Sequence, residues 1–239
     1  MVESFDVEST LTSFLESLDV NYSPLQILCL KKYLDFLYER NKHINLVGSK
    51  DRKDIFIRHF LDCLSVLKLG EVFLDTQKII DVGSGAGLPG ILLAIFLQDC
   101  DMYLLEKRLK KVNFLHEAVG YLGLKNVKIL SGRAEDLAHH KELRERFDLV
   151  MARAVARFDI LCELTIPFCK IGGRIIFYKS RKVFEELKNY GEVVSTLGGK
   201  VLELREVEVP SLDEFRAFLV IVKIEETLKK FPRSVAKMR

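Results

Sequence analysis

Leu11, Phe14, Leu15 and Leu18 recur three, four and seven positions apart, the spacing of one apolar helix face. Ser23-Pro24 reads as an N-cap followed by a first-turn proline, and it opens a long amphipathic run through Ile27, Leu30, Leu34 and Leu37. A looser stretch, 41–49, precedes a third helix predicted over 51–69. No strand pattern occurs before residue 77.

From there short apolar runs alternate with amphipathic ones. Strands are predicted at 78–82, 102–105, 127–130, 147–151 and 174–178, with helices at 88–96, 109–122, 134–145 and 159–169 between them. Such alternation specifies a parallel sheet covered on both faces. A helix over 183–197 leads into two β-rich runs, 200–209 and 215–224. The link between them, 210–214, is too short for a parallel crossover, so the pair is antiparallel and lies at the sheet edge. The expected fold class is α/β: a doubly wound, mostly parallel seven-stranded sheet with an antiparallel edge strand and an N-terminal helical extension. The expected units are residues 1–70 (helical extension), 71–226 (sheet domain) and 227–239 (basic C-terminal tail).

Composition narrows the class. The chain has 239 residues, 49% of them hydrophobic, enough for a sizeable core. With 30% charged residues and no apolar run near the ~20 residues that span a bilayer, no membrane is expected as partner. The opening Met1-Val2-Glu3-Ser4-Phe5-Asp6 is acidic and lacks a signal-peptide pattern, so a cytoplasmic location is expected. The five cysteines, Cys29, Cys63, Cys100, Cys162 and Cys169, are odd in number and have no C-x-x-C spacing. They read as buried reduced thiols, and no metal is expected. A net charge of +3 does not by itself announce a nucleic-acid binder, but five basic residues and no acid follow Glu226. A basic tail is either a solvated end or a contact for a polyanion.

The chemistry concentrates in Asp81-Val82-Gly83-Ser84-Gly85-Ala86-Gly87-Leu88-Pro89-Gly90. Glycines directly after a first strand permit a tight turn and close approach of a nucleotide, and Pro89 suits the first turn of the next helix. The next strand ends in Glu106, 23 residues after Gly83, where a carboxylate can accept both hydroxyl protons of a ribose. Gly85 to Gly90 also satisfies the dinucleotide fingerprint G-x-G-x-x-G, a weak signal alone. Asp81 favours S-adenosylmethionine, whose ammonium and sulfonium are cationic, over a pyrophosphate it would repel. Its competing role is a hydrogen bond to local backbone amides. Arg133, Arg153 and Lys179 follow three further strand ends, and three cations on the ligand-binding rim suggest a polyanionic partner.

These features resemble the glucose-inhibited division protein B family, the bacterial 16S rRNA guanine-N7 methyltransferases. The resemblance covers nearly the full chain. It rests on Asn45-Leu46, His59-Phe60-Leu61-Asp62, Asp81 to Gly90, Lys110-Lys111-Val112-Asn113-Phe114-Leu115, Arg133-Ala134-Glu135, Phe147-Asp148, Ala152-Arg153-Ala154-Val155-Ala156 and Phe231-Pro232-Arg233. It implies a Rossmann-like methyltransferase sheet and a guanine in the 530 loop as target. The partner implied is 16S rRNA or the small ribosomal subunit; oligomeric state is open, a monomer being favoured. By resemblance Gly83, Leu88, Ala134, Glu135 and Arg153 contact the cofactor, joining Asp81, Gly85, Gly87 and Glu106. Arg133, Lys179 and Arg233 are the implied substrate-positioning residues.

Guanine N7 carries an in-plane lone pair, so no general base is expected; alignment and electrostatics suffice. A bidentate arginine on O6 and N7 would block the nucleophile. N7 lies in the deep groove of A-form RNA, so the base must be in a loop or splayed out. His59 is accordingly read as structural, His139-His140 as an exposed pair rather than a metal site, and Phe231 as either a stacking or a packing residue. The competing functions are a methyltransferase for another RNA, a protein or a small molecule, a nicotinamide-dependent oxidoreductase, and a non-catalytic RNA-binding module.

Overall fold

The computed structural model describes residues 5–153 and 156–238, so Ala154 and Val155 of the quoted motif lie outside the described residues. Helices α1 (Val7–Ser17) and α2 (Pro24–Ile44) form as their apolar spacing requires. Asp6 caps the first, while Ser23 and Gln26 form a reciprocal capping box on the second. Helix α2 extends into the stretch expected to be looser. Its polar residues there build the stop: Asn45 takes the left-handed conformation, and the Asn41 carboxamide accepts from Leu46 and Val47 N–H at 2.7 and 2.9 Å.

The helix expected over 51–69 is broken. Arg52–Ile55 is α-helical, Phe56–Leu61 widens into a π turn, and Ser65–Lys68 tightens into a 3₁₀ turn. A widened turn releases main-chain carbonyls from the i→i+4 ladder. The Arg58 carbonyl is taken at 2.8 Å by the guanidinium of Arg153.

Strands β1 (Lys78–Val82), β2 (Asp101–Glu106), β3 (Val127–Ser131), β4 (Phe147–Arg153) and β5 (Cys169–Lys179) are parallel, and β6 (Gly199–Val209) and β7 (Leu212–Lys223) follow. The sheet order is β3-β2-β1-β4-β5-β7-β6. The antiparallel pair lies at the edge as expected, with β7 antiparallel to both neighbours and β6 outermost. Between strands run α3 (Gly90–Phe96), α4 (Leu109–Leu122), the short α5 (Ala134–Leu137), α6 (Phe158–Thr165), α7 (Val183–Tyr190) and α8 (Glu192–Thr196).

Three predicted helices end or divide early, the first for a distant contact and the other two for local reasons. The helix over 134–145 closes at Leu137 because the following residues turn back to hold the C-terminal segment. Pro167 has no N–H to continue α6, and Cys169 already starts β5. The helix over 183–197 divides at Gly191.

Alternating strand residues feed two cores. Ile79, Leu149, Met151 and Ile176 face one side, packed with α1, α2, α3, α4 and the 52–68 segment. Ile80, Val150, Ala152, Ile175 and Phe177 face the other, packed with α6 and with Phe231 and Met238 of the tail. Each fully buried Leu or Phe contributes roughly 1.5–3 kcal/mol. The N-terminal helices thus share the first core. Tyr33 donates its hydroxyl proton to the Ala86 carbonyl of the glycine turn, and Lys111 reaches the Leu46 carbonyl at 3.3 Å.

The backbone of the basic tail is strapped down, while Lys229 and Lys230 stay exposed. Arg144 donates to the carbonyls of Thr227, Leu228 and Phe231, and Glu145 accepts from Thr227 N–H. Lys223, fully buried, pairs with Glu145 at 3.2 Å.

Candidate functional site

The turn after β1 is stretched over the end of β2. Gly83 and Ser84 N–H donate to Leu105 C=O, and Gly85, at φ +58°, donates at 3.0 Å to Glu106 Oε2. Glu106 Oε1 accepts from Arg108 N–H at 2.8 Å. Each carboxylate oxygen therefore has one backbone donor and capacity for another. Gly90 sits where a Cβ would fall 2.2 Å from Leu104, so only glycine lets α3 close on β2. Helix α3 begins at Gly90, and Pro89 stands one residue earlier than expected, as N-cap.

These elements enclose a cavity of about 250 Å³ lined by Gly83, Gly85, Glu106, Ala134 and Glu135 together with Val82, Leu105, Lys107, Arg108, Lys111, Gly132 and Leu164. Five of the nine expected cofactor residues thus meet in one place. The other four do not line it. Gly87 packs against Ile91 and Leu115, and Leu88 is buried in the first core. Asp81 is buried, and its Oδ2 accepts from Gly90 N–H at 3.0 Å, the local backbone role that competed with cofactor contact. Burial pushes its carboxyl up to about 7, against the lowering effect of the Gly90 N–H.

Arg153, the ninth, faces the N-terminal helices. Its guanidinium meets Asp62 at 2.8 Å, Arg58 C=O at 2.8 Å and His59 Nδ1 at 3.2 Å. Asp62, nearly fully buried, also holds Arg216 of β7 at 3.1 Å. Burial lowers the His59 pKa to about 4, with the Arg153 charge adding to the effect. The ring is neutral at physiological pH.

Asp62, Arg153, Arg216 and His59 line a second cavity of about 450 Å³ with Lys179, Glu186, Tyr178 and Leu161. Lys179 arrives from the opposite face of the sheet. It is nearly buried over the Phe158 ring and donates to Glu186 at 2.7 Å. Leu161 lines this cavity and Leu164 the first one, so a single turn of α6 separates the two.

The three expected substrate-positioning residues are not gathered. Lys179 lines the larger cavity. Arg133 is an exposed N-cap beside Glu135, at 3.0 Å. Arg233 is held by Glu163 at 2.8 Å in a separate cavity with Phe231. Phe231 is buried, which decides for packing. His139 and His140 are exposed, and among the described residues no metal-ligating cluster of three forms. Lys111, Asp62 and Arg216 are site residues that sequence reasoning missed. Lys111 and Asp62 stood inside quoted motifs; Arg216 carried no signal, because only the β7 pairing brings it to Asp62.

A family model described as rRNA small subunit methyltransferase G matches residues 26–213. The chain belongs to this family. Curated relatives agree. Ribosomal RNA small subunit methyltransferase G of Clostridium perfringens (strain 13 / Type A) is 43% identical over 201 residues, 84% of each chain. That of Alkaliphilus oremlandii (strain OhILAs) is 37% identical over 232 residues, 97% of each. Among solved structures, a putative O-methyltransferase from Klebsiella pneumoniae has a TM-score of 0.57 at 14% identity, covering 90% of this chain and 96% of that one. A SAM dependent methyltransferase from Aquifex aeolicus has a TM-score of 0.52 at 20% identity, covering 68% and 92%. At such identities the structures speak for the fold, and the relatives carry the family. The small subunit methyltransferase G family thus gives the two cavities a setting: an enzyme that moves a methyl group.

Proposed function

We propose that this enzyme transfers a methyl group from S-adenosylmethionine to N7 of a guanine in the 530 loop of 16S ribosomal RNA, acting on the small subunit in the cytoplasm. What carries the proposal is family membership together with a nucleoside-fitting cavity one helical turn from a larger cavity whose lining includes Arg153, Lys179, Lys182 and Arg216. The residues fit the cofactor. Glu106 has free acceptor capacity for a ribose, and Gly83 and Gly85 leave the turn open. When bound there, S-adenosylmethionine supplies an electrophilic methyl.

The chain's own residues then bind, align and exclude water. Glu106 and the glycine turn hold the nucleoside, with Ala134 and Glu135 at the base end. Lys179 and Lys182 put positive charge at the larger cavity, where phosphate of a splayed-out nucleotide would lie. No residue is needed to remove a proton from N7.

The test is transfer of labelled methyl from S-adenosylmethionine to naked 16S rRNA, 30S subunits and 70S ribosomes, with the label mapped by base and atom. Label at guanine N7 in the 530 loop is expected. Glu106→Gln, which turns an N–H toward a backbone N–H, should weaken S-adenosylhomocysteine binding by roughly 1.5–3 kcal/mol. Label on protein alone, or tight NAD binding without response to S-adenosylhomocysteine, would overturn the proposal.

A further inference from the structure

His59 stands in the widened turn of the 52–68 segment and is one of the residues lining the 450 Å³ cavity. Its Nδ1 lies 3.2 Å from the Arg153 guanidinium. Arginine only donates, so Nδ1 must be the acceptor. The single proton of the neutral ring is then on Nε2. Arg153 cannot easily turn away, because Asp62 and the Arg58 carbonyl hold it at 2.9 and 2.8 Å. The tautomer is set from behind by a charge that is itself fixed. Among the described residues nothing accepts from Nε2.

The cavity's inner cations are engaged, and the Ser180 hydroxyl is exposed. Arg153 and Arg216 share Asp62, and Lys179 is paired with Glu186. Lys182 is exposed at the rim.

We infer that His59 is the residue that distinguishes guanine from adenine, donating its Nε2–H to O6 of the target base; the inference rests on the guanine-N7 function proposed above. Guanine presents O6 as an acceptor beside N7, whereas adenine presents an N6 donor there. A fixed N–H accepts the first and opposes the second. One donor aimed at O6 leaves the N7 lone pair free, which a bidentate arginine would not. Neutrality matters as well. The base gains positive charge as N7 is methylated, and a cation at O6 would oppose that gain. Burial and the Arg153 charge keep the ring unprotonated.

The experiment compares guanine with 2,6-diaminopurine at the methylated position of 16S rRNA reconstituted into small subunits. The analogue keeps N7 and replaces O6 with an amino group. The wild-type enzyme should favour guanine in kcat/KM by about 10- to 100-fold, the scale of one base-edge contact. His59→Phe should lose most of that preference by slowing on guanine alone, with S-adenosylhomocysteine affinity and melting temperature held. His59→Gln, whose amide can donate from the Nε2 position, should recover at least part of it. Nitrogen-15 spectra of the unmodified enzyme should show the Nε2–H tautomer.

An unchanged preference in His59→Phe, a His59→Gln no better than the phenylalanine variant, or an Nδ1–H tautomer would overturn the inference while leaving guanine-N7 transfer intact. Absence of N7 label with the wild-type enzyme would instead overturn the proposed function and the inference with it.

Discussion

Asp81→Asn should make the ligand-free protein more stable, by an amount that grows with pH. Asp81 is 1% exposed, and burial raises its carboxyl from 3.8 to about 7. Between those values the folded chain holds a proton that the unfolded chain has released. Unfolding free energy therefore falls as pH rises through that window and levels off above about 7. At about 1.4 kcal/mol per unit the full cost of ionising Asp81 approaches ~4 kcal/mol. About 1 kcal/mol of it is already felt at pH 4.5, so the gap between variant and parent should widen by about 3 kcal/mol from pH 4.5 to pH 8. Asparagine keeps an acceptor for the Gly90 N–H, which stands 3.0 Å from Oδ2, so little is lost in exchange. Urea denaturation of both proteins at the two pH values reads the gap directly, and the other titrating groups cancel in the difference. A gap that stays constant or narrows would refute the account of Asp81 as a buried, desolvated carboxyl.

Arg153→Ala should lower the melting temperature as well as activity. It strips Asp62, buried at the cavity wall, of one of its two guanidiniums at a cost of about 3 kcal/mol, or ~6–12 °C for a chain of this size; an unshifted calorimetric transition would show that the pair contributes nothing. The exposed Lys229 and Lys230 give a cleaner test of tail contact with RNA than Arg233, which holds buried Glu163. The double alanine variant should melt normally, raise KM for the small subunit and reduce the log–log salt slope by up to about 1.5; a slope equal to the parent's would remove the tail from the RNA interface.

The alternation of short strands and helices, the glycine turn and Glu106 were legible because each is local: a period, a turn or a strand end. The meeting of Gly83, Gly85, Glu106, Ala134 and Glu135 follows from parallel strands delivering their C-terminal ends to one edge. What escaped was set by distant partners. Residues 138–145 have helical composition, yet Arg144 and Glu145 are spent on the C-terminal segment. The 52–68 segment has one helical period, yet Arg153 captures a carbonyl within it. Arg153 and Lys179 looked like one basic rim, but strand parity sends them to opposite faces, toward Asp62 and Glu186 respectively. Hydropathy carries no record of such pairings, because charged residues read alike whether solvated or clasped.

The sheet order β5-β7-β6 has a consequence for synthesis. A chain made from its N-terminus completes β6 before the strand that joins it to the sheet exists. Until residues 212–223 emerge, β5 presents an open hydrogen-bonding edge and β6 has no partner within the domain. Glu145 and Glu163 likewise await Lys223, Thr227 and Arg233. Closure is thus the work of residues 212–233, so a premature stop just after β6 removes an inner strand along with these contacts and leaves unsatisfied edges on β5 and β6 for aggregation to find.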